Sequence, residues 1–409
     1  MRKLAELIEQ NLPEARRAAL AQVSEVATRL QQPLYLVGGF VRDALLGLTP
    51  DDFDLVVEGS APQLARALAK TYGGNVLVHP PFGTATWTTA QGEAIDLASA
   101  RTETYARPAA LPTVSVPASI HADLSRRDFT LNTLTVRIDG AYFGELLDPH
   151  GGHADLIAGI VRVLHPQSFV DDPTRLFRAA RYEQRLNFRL ADETLALIPG
   201  AWDALAALTP DRLRHECELI FREPRASAML ERLQALELLR RVHPALRWGA
   251  DAARRAENLR AWPSADWQLP APPEPDALYL SLLLADATPS EIVEALTRLN
   301  VDRAIFEAVQ SALALQPTWT RPSEAVAVLD HLSELTIIAA YVVRGDPDLS
   351  AYLSQWRLVR ATTTGDDLIA RGLPPGPRFK DLLWQLRAAR LDGEVRTDHD
   401  EIELLGRLI

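Results

Sequence analysis

LVGGFVRDALLGLTPDDFDLVVEG, residues 36–59, carries the signals of three successive elements. The apolar run Leu34 to Val37 reads as a strand, Gly38 and Gly39 as a turn, and FVRDALLG as a short helix that stops at Gly47. DFDLVVEG, residues 52–59, then reads as a buried strand, and its period of two points the side chains of Asp52 and Asp54 to one face. Two carboxylates side by side repel each other and suit a dry core only when a cation lies between them, so Mg²⁺ is the natural occupant. A solvated edge or turn is the plain alternative for such a pair. Gly38 and Gly39 follow a strand and open a helix, an arrangement in which backbone N–H groups can face an anion, with Arg42 and Asp43 one turn further on. The plain alternative there is a tight turn.

Working outward, residues 1–32 read as helix, and ALAKTYGG closes another helix at Gly73 and Gly74. Further strands are expected at Asn75–His79, Thr84–Thr89, Ala94–Ala98 and Leu131–Ile138, so the first 140 residues form an α/β unit. Asp96 is a third acid on a strand of otherwise apolar residues and could complete a metal cage; pairing with Arg101 is its structural alternative. After Asp148 the chain changes to Ala, Leu and Arg at helical spacing, which predicts an all-helical remainder and an α+β protein overall. The segment WPSADWQLPAPPEP, Trp262–Pro275, reads as a linker, and a second break falls at Gln316–Glu324.

At 409 residues the chain is long enough for several packed units. No apolar stretch approaches the roughly 20 residues that span a bilayer, and the charged amphipathic N-terminus does not resemble a signal peptide, so a cytoplasmic location is expected. The single cysteine, Cys217, excludes an internal disulfide and any cysteine-based zinc cluster, and is expected to be inert. A formal charge of −11 argues against a nucleic-acid partner only as an average. Arg175, Arg178, Arg181 and Arg185 recur at three- and four-residue spacing and build a basic helical stripe, either a solvated face or a surface for phosphates.

Asp172 precedes Pro173 and fits a helix N-cap, with Arg175 three residues on and sharing its face. The pair also has chemistry. A carboxylate accepts from an exocyclic amine while a guanidinium donates to the neighbouring ring nitrogen, a pattern that cytosine and adenine match and uracil and guanine reverse. His150 and His153 flank a Gly-Gly turn, for which turn chemistry is the better explanation, and the scattered tryptophans read as core anchors.

Residues 36–59, together with SRRDFTLNTLTV (Ser125–Val136), LLDPHGGHADL (Leu146–Leu156) and FVDDPTRLFRAARYEQRLNF (Phe169–Phe188), resemble the bacterial and eukaryotic class of CCA-adding enzymes, class II tRNA nucleotidyltransferases, and their poly(A) polymerase relatives. A weaker similarity covers Asp211–Leu246. The resemblance implies a nucleotidyltransferase head at 1–140, a helical neck at 141–205, a body at 206–262 and a tRNA-binding tail at 276–409. It implies that Asp52 and Asp54 hold Mg²⁺ with Asp96 beside them, and that Gly38, Gly39 and Arg42 belong to the nucleotide site. Arg126, Arg127 and Asp128 would contact the ribose with Asn132 nearby, Asp172 and Arg175 would read the base, and Arg178 and Arg181 would reach the triphosphate or the tRNA end. The implied activity adds all or part of CCA to tRNA from CTP and ATP, releasing pyrophosphate. Poly(A) polymerase, CC-only and A-only enzymes share these motifs, and a catalytically silent RNA-binding protein is the alternative of another class. Arg101–Val114 is expected to be a loop that in this family helps the site switch from C to A. Two departures stand out: Asp171 replaces the usual Glu before Asp172, and Thr133 replaces the common Ala.

Overall fold

The computed structural model describes residues 2–50, 53–258, 266–269 and 271–409. Asp52, Trp262 and part of the proline-rich segment therefore lie outside the described residues. By packing, the chain forms two compact units, Met1–Thr209 and Pro210–Ile409.

The expected single N-terminal helix is two, α1 (Arg2–Asn11) and α2 (Glu14–Arg29), because Pro13 lacks the N–H that a continuous helix needs. β1 (Leu34–Val37) is buried along its whole length, and α3 (Gly39–Leu45) follows Gly38, whose φ of 70° suits glycine. The next strand is shorter than its apolar pattern suggests: β2 is only Leu55–Val57, and Asp54 precedes it. α4 (Ala61–Tyr72) is capped by the Ser60 hydroxyl and ends at Gly73. β3 (Asn75–His79), β4 (Thr84–Thr88) and β5 (Ala94–Ser99) lie where the alternation predicts them.

Arg101–Val114 is not a simple loop. β6 (Thr102–Thr104) and β7 (Thr113–Ser115) pair antiparallel, Glu103 opposite Val114, which the β-branched threonines favour. α5 (Ile120–Ser125) follows. The strand expected from Leu131 begins only at Thr135, as β8 (Thr135–Arg137). Upstream, Asp128 accepts its neighbour's N–H and Thr133 Oγ1 donates to the Thr130 carbonyl at 2.7 Å, so local bonds hold Thr130–Asn132 in a 3₁₀ turn. That bond also gives the unusual Thr133 a place. β9 (Glu145–Leu147) completes a sheet of order β3-β4-β5-β2-β1-β8-β9, in which only β2 and β5 run parallel.

One face of this sheet carries the main core, where Leu34, Leu36, Leu55, Leu97 and Trp87 pack with Val23 and Val26 of α2 and Leu64 and Leu68 of α4. The opposite face is covered only in part, by Ile120 and Leu124 of α5 against Tyr35, Val37 and Val56. On that second face, away from α5, Asp96 is exposed, as is Asp54 at the entry to β2.

The chain after Asp148 is mainly helical: α6 (Gly152–Ala158), α7 (Ser168–Asp171), α8 (Thr174–Leu186), α9 (Asp192–Leu197) and α10 (Trp202–Ala206) finish the first unit. It also contains a short parallel pair, β10 (Ile160–Val161) and β11 (Arg189–Leu190), absent from the all-helical expectation. The second unit is helical from α11 (Pro210–Phe221) through α12 (Ala226–Ala235), α13 (Leu238–Val242), α14 (Ala250–Asn258) and α15 (Pro275–Leu283) to the last helix, Asp398–Leu408. Cys217 is buried in α11, and burial pushes its thiol to about 12. Among the described residues no helix is long and apolar enough to cross a membrane.

Candidate active site

The acids are placed by sheet register. Leu55 pairs with Leu97 across the parallel β2–β5 rungs, strands about 4.8 Å apart, so Asp54, the residue that leads into β2, falls next to Asp96 of β5, and alternation turns both away from those buried leucines. Both are exposed. The Val37 N–H donates to the Asp54 carbonyl at 3.2 Å, which extends the row to the end of β1 and the Gly38 turn. Asp96 does not pair with Arg101. Its Oδ1 accepts from the Thr86 hydroxyl at 2.5 Å, and Arg101 donates instead to Glu103 at 2.8 Å. Asp54 and Asp96 offer oxygen ligands only, the donor set of a hard divalent cation. Among the described residues, which omit Asp52, no three His, Cys, Asp or Glu side chains cluster as a metal site.

At the turn the Gly38 N–H donates to the Leu134 carbonyl at 3.0 Å, so that donor belongs to the sheet and not to an anion. A Cβ on Gly38 would lie 3.0 Å from Arg127 Nη1, and a side chain there would displace that guanidinium. Arg42 is buried; it clasps Asp43 through two bonds of 2.7 and 2.9 Å and donates to Asn132 Oδ1 at 2.7 Å. Asn132 Nδ2 passes the chain on to Asp128 Oδ1 at 2.9 Å, and Asp128 Oδ2 accepts from Arg178 Nε and Nη2 at 2.8 and 2.6 Å. Burial alone would raise the Asp128 carboxyl, but the Arg178 charge and the Asn132 amide outweigh it and hold Asp128 below the usual carboxylate range.

Tyr182 sits at the hub of this chain. Its ring centroid is 5.1 Å from the Arg42 guanidinium, 5.8 Å from Arg178 and 5.9 Å from Arg185. Sequence reading passed it over, although its spacing from Arg178 and Arg185 along α8 puts it on their face. The arginine stripe is solvated only at its end: Arg175 and Arg181 are buried, Arg178 is half-buried and Arg185 is exposed.

A second network surrounds Arg126. Its guanidinium donates to Asp123 Oδ1 at 3.0 and 2.8 Å and to Glu103 Oε1 at 2.8 Å, so it is engaged by two protein carboxylates. Arg127 Nη2 reaches the same Asp123 at 3.2 Å. Arg175 donates from Nη1 to the buried Ser168 hydroxyl and from Nη2 to the Arg126 carbonyl, both at 2.7 Å. Asp172 is half-buried just before α8, where Oδ1 accepts from the Thr174 N–H at 3.1 Å and its hydroxyl at 2.6 Å; it caps the helix and stands one turn from Arg175. The register and these networks bring Asp54, Asp96, Gly38, Arg42, Asp128, Asn132 and Arg178 into one region of the first unit. Glu103, Asp123, Thr86 and Tyr182 are the members that residue spacing did not single out.

Residues 34–162 match the poly A polymerase head domain family, and residues 187–248 match a family described as a probable RNA and SrmB-binding site of polymerase A. The chain is 31% identical to an A-adding tRNA nucleotidyltransferase of Halalkalibacterium halodurans over 98% of this chain and 94% of that one. A Geobacter sulfurreducens A-adding enzyme is 36% identical over all of this chain, which spans only 48% of that relative's length. A CC-adding enzyme of Deinococcus radiodurans is 36% identical over 90% of this chain and 87% of its own. Among solved structures, a CCA-adding enzyme in an apo form superposes with a TM-score of 0.86 at 27% identity, covering 99% of both chains. The Thermotoga maritima CCA-adding enzyme complexed with tRNA gives 0.81 at 26% identity, covering 99% of this chain and 98% of that one.

Proposed function

Because this chain belongs to the tRNA nucleotidyltransferase and poly(A) polymerase family, we propose that it transfers a nucleotide from a nucleoside triphosphate to the 3′ end of tRNA, completing CCA with its adenosine. The observation that carries the reading is the placement of two exposed acids, Asp54 immediately before the Leu55–Leu97 rung and Asp96 on β5 immediately before the same rung, near the Gly38 turn and the Arg42–Asn132–Asp128–Arg178 chain. Adenosine is favoured by the full-length similarity to the Halalkalibacterium A-adding enzyme. Addition of CC is the second reading, supported by the Deinococcus relative.

In this reading Asp54, with Asp52 and Asp96, would hold Mg²⁺, which supplies charge to activate the acceptor hydroxyl and to stabilise departing pyrophosphate. The protein's own groups do the rest. Arg42, clasped by Asp43 and Asn132, and Arg178, paired to Asp128 beside Tyr182, form a preorganised polar frame next to the nucleotide site, and a fixed frame needs no reorganisation as the reaction proceeds. Asp172 and Arg175 supply the acceptor and donor that match adenine or cytosine.

The test supplies tRNA ending at the discriminator base, at C or at CC with ATP and CTP, separately and together, and resolves products at single-nucleotide length. One adenosine on the CC-ended substrate alone is expected. Cytidine addition would move the assignment to a CC- or CCA-adding enzyme, long adenosine tails on unrelated RNA to a poly(A) polymerase, and no extension in Mg²⁺ to a silent RNA binder.

A further inference from the structure

Arg175 is 4% exposed, and its guanidinium plane is set by two acceptors, the Ser168 hydroxyl and the Arg126 carbonyl. A planar fork that reads a base edge works only in the correct plane, so whatever fixes those acceptors fixes the reading. Ser168 is fully buried and its position is set by packing. The Arg126 carbonyl is different. Arg126 is the residue that closes α5, and its place there is held by its own side chain, tied back to Asp123 on α5 and outward to Glu103 in the middle of β6. The Asp123 side chain is 1% exposed and that of Glu103 7%, so water competes little for either contact. Glu103 Oε1 also accepts from Arg101, and Oε2 from the Tyr105 hydroxyl at 3.3 Å, which leaves the carboxylate little freedom to turn.

The geometry points to Glu103 as a positioning residue for base choice: through Arg126 it places the carbonyl that orients Arg175. This rests on the reading of Arg175 as a base-selecting group. Glu103 touches no substrate in this account. It acts over two links, Glu103 to the Arg126 side chain and the Arg126 main chain to Arg175, and so connects the β6–β7 pair to the residue that discriminates.

The experiment measures kcat/KM of the full chain for the accepted nucleotide over its rejected partner, ATP over GTP or CTP over UTP. It compares the parent with Glu103→Gln, Arg175→Ala and the double variant, each checked for a cooperative melt. Glu103→Gln is expected to lower the ratio on the order of tenfold, the scale of loss when a geometry-dependent group is slightly misplaced, and to add nothing further once Arg175 is Ala. If Glu103→Gln does not fold, Arg126→Lys carries the same test, since an ammonium keeps the charge but cannot make the fork to Asp123 and Glu103 together. Arg175→Ala with an undiminished ratio would overturn the base-reading role itself. A diminished ratio in Arg175→Ala but not in Glu103→Gln or Arg126→Lys, or losses that multiply in the double variant, would overturn the inference while leaving that role standing.

Discussion

At the scale of single residues, Asp54 differs from an ordinary surface acid by its address: one strand from Asp96, at the entry to β2. Asp54→Asn keeps the shape and removes the charge. Nucleotide incorporation is expected to fall by at least about a thousandfold, the loss typical when a main electrostatic contributor to catalysis is removed, while tRNA binding in a gel shift stays near that of the parent. Turnover near the parent rate would take Asp54 out of the site. Residue types and spacing announced Asp54, Asp96 and Arg175 as candidates, since alternation and local chemistry depend on near neighbours, and the family resemblance added Asp128. They could not announce which partner each guanidinium takes. Arg126 and Arg127 look alike in sequence, yet Arg126 is clamped by Asp123 and Glu103, whereas Arg127 sits under the Gly38 turn. Asp123 is a near neighbour of both, but Glu103 lies 23 residues from Arg126 and Gly38 is further still from Arg127, beyond what period and propensity report.

At the scale of elements, close approach explains a motif glycine. Gly152 opens α6 with its N–H bonded to Asp148 Oδ1, and a Cβ there would fall 2.2 Å from the Thr130 carbonyl, in the turn that carries Asn132. Gly152→Ala must push that backbone away and is expected to cost roughly 2–3 kcal/mol of stability. Chemical denaturation would check this, and an unchanged midpoint would refute the contact. In the second unit, Asp276 lies in the first turn of α15, where Oδ2 accepts from Arg222 at 2.9 Å and Oδ1 is buried without a hydrogen-bond partner among the described residues. Burial lifts this carboxyl from 3.8 to about 6, because the half-exposed Arg222 is screened by water and offsets only part of the cost. The folded state thus holds the proton more tightly than the unfolded chain. Its contribution is complete below pH 3.8 and is lost as pH rises to about 6. Asp276→Asn removes the ionisation, and melts across pH should find the variant more stable by about 1 kcal/mol above that window, with the gain vanishing toward its acid end. An advantage independent of pH would contradict the assignment.

At the scale of the whole molecule, the α+β plan and the positions of β3, β4 and β5 were legible from the sequence, because one-sided burial writes itself as alternation in β4 and β5. The elements that were missed are short or locally driven. β10 and β11 have two residues each, too few to show a period, and the Thr130–Asn132 turn replaces a strand because side-chain bonds compete with the ladder. The one cysteine gives the molecule a practical property. Cys217 is 7% exposed and its thiol is pushed to about 12, so little thiolate forms at neutral pH. The native protein should leave a colourimetric disulfide reagent uncoloured, while denaturant releases one equivalent; prompt reaction of the folded chain would count against that burial. The polypeptide then arrives chemically silent, and a single cysteine introduced at a chosen surface position would be the sole handle for a dye or spin label, with no native residue to remove first.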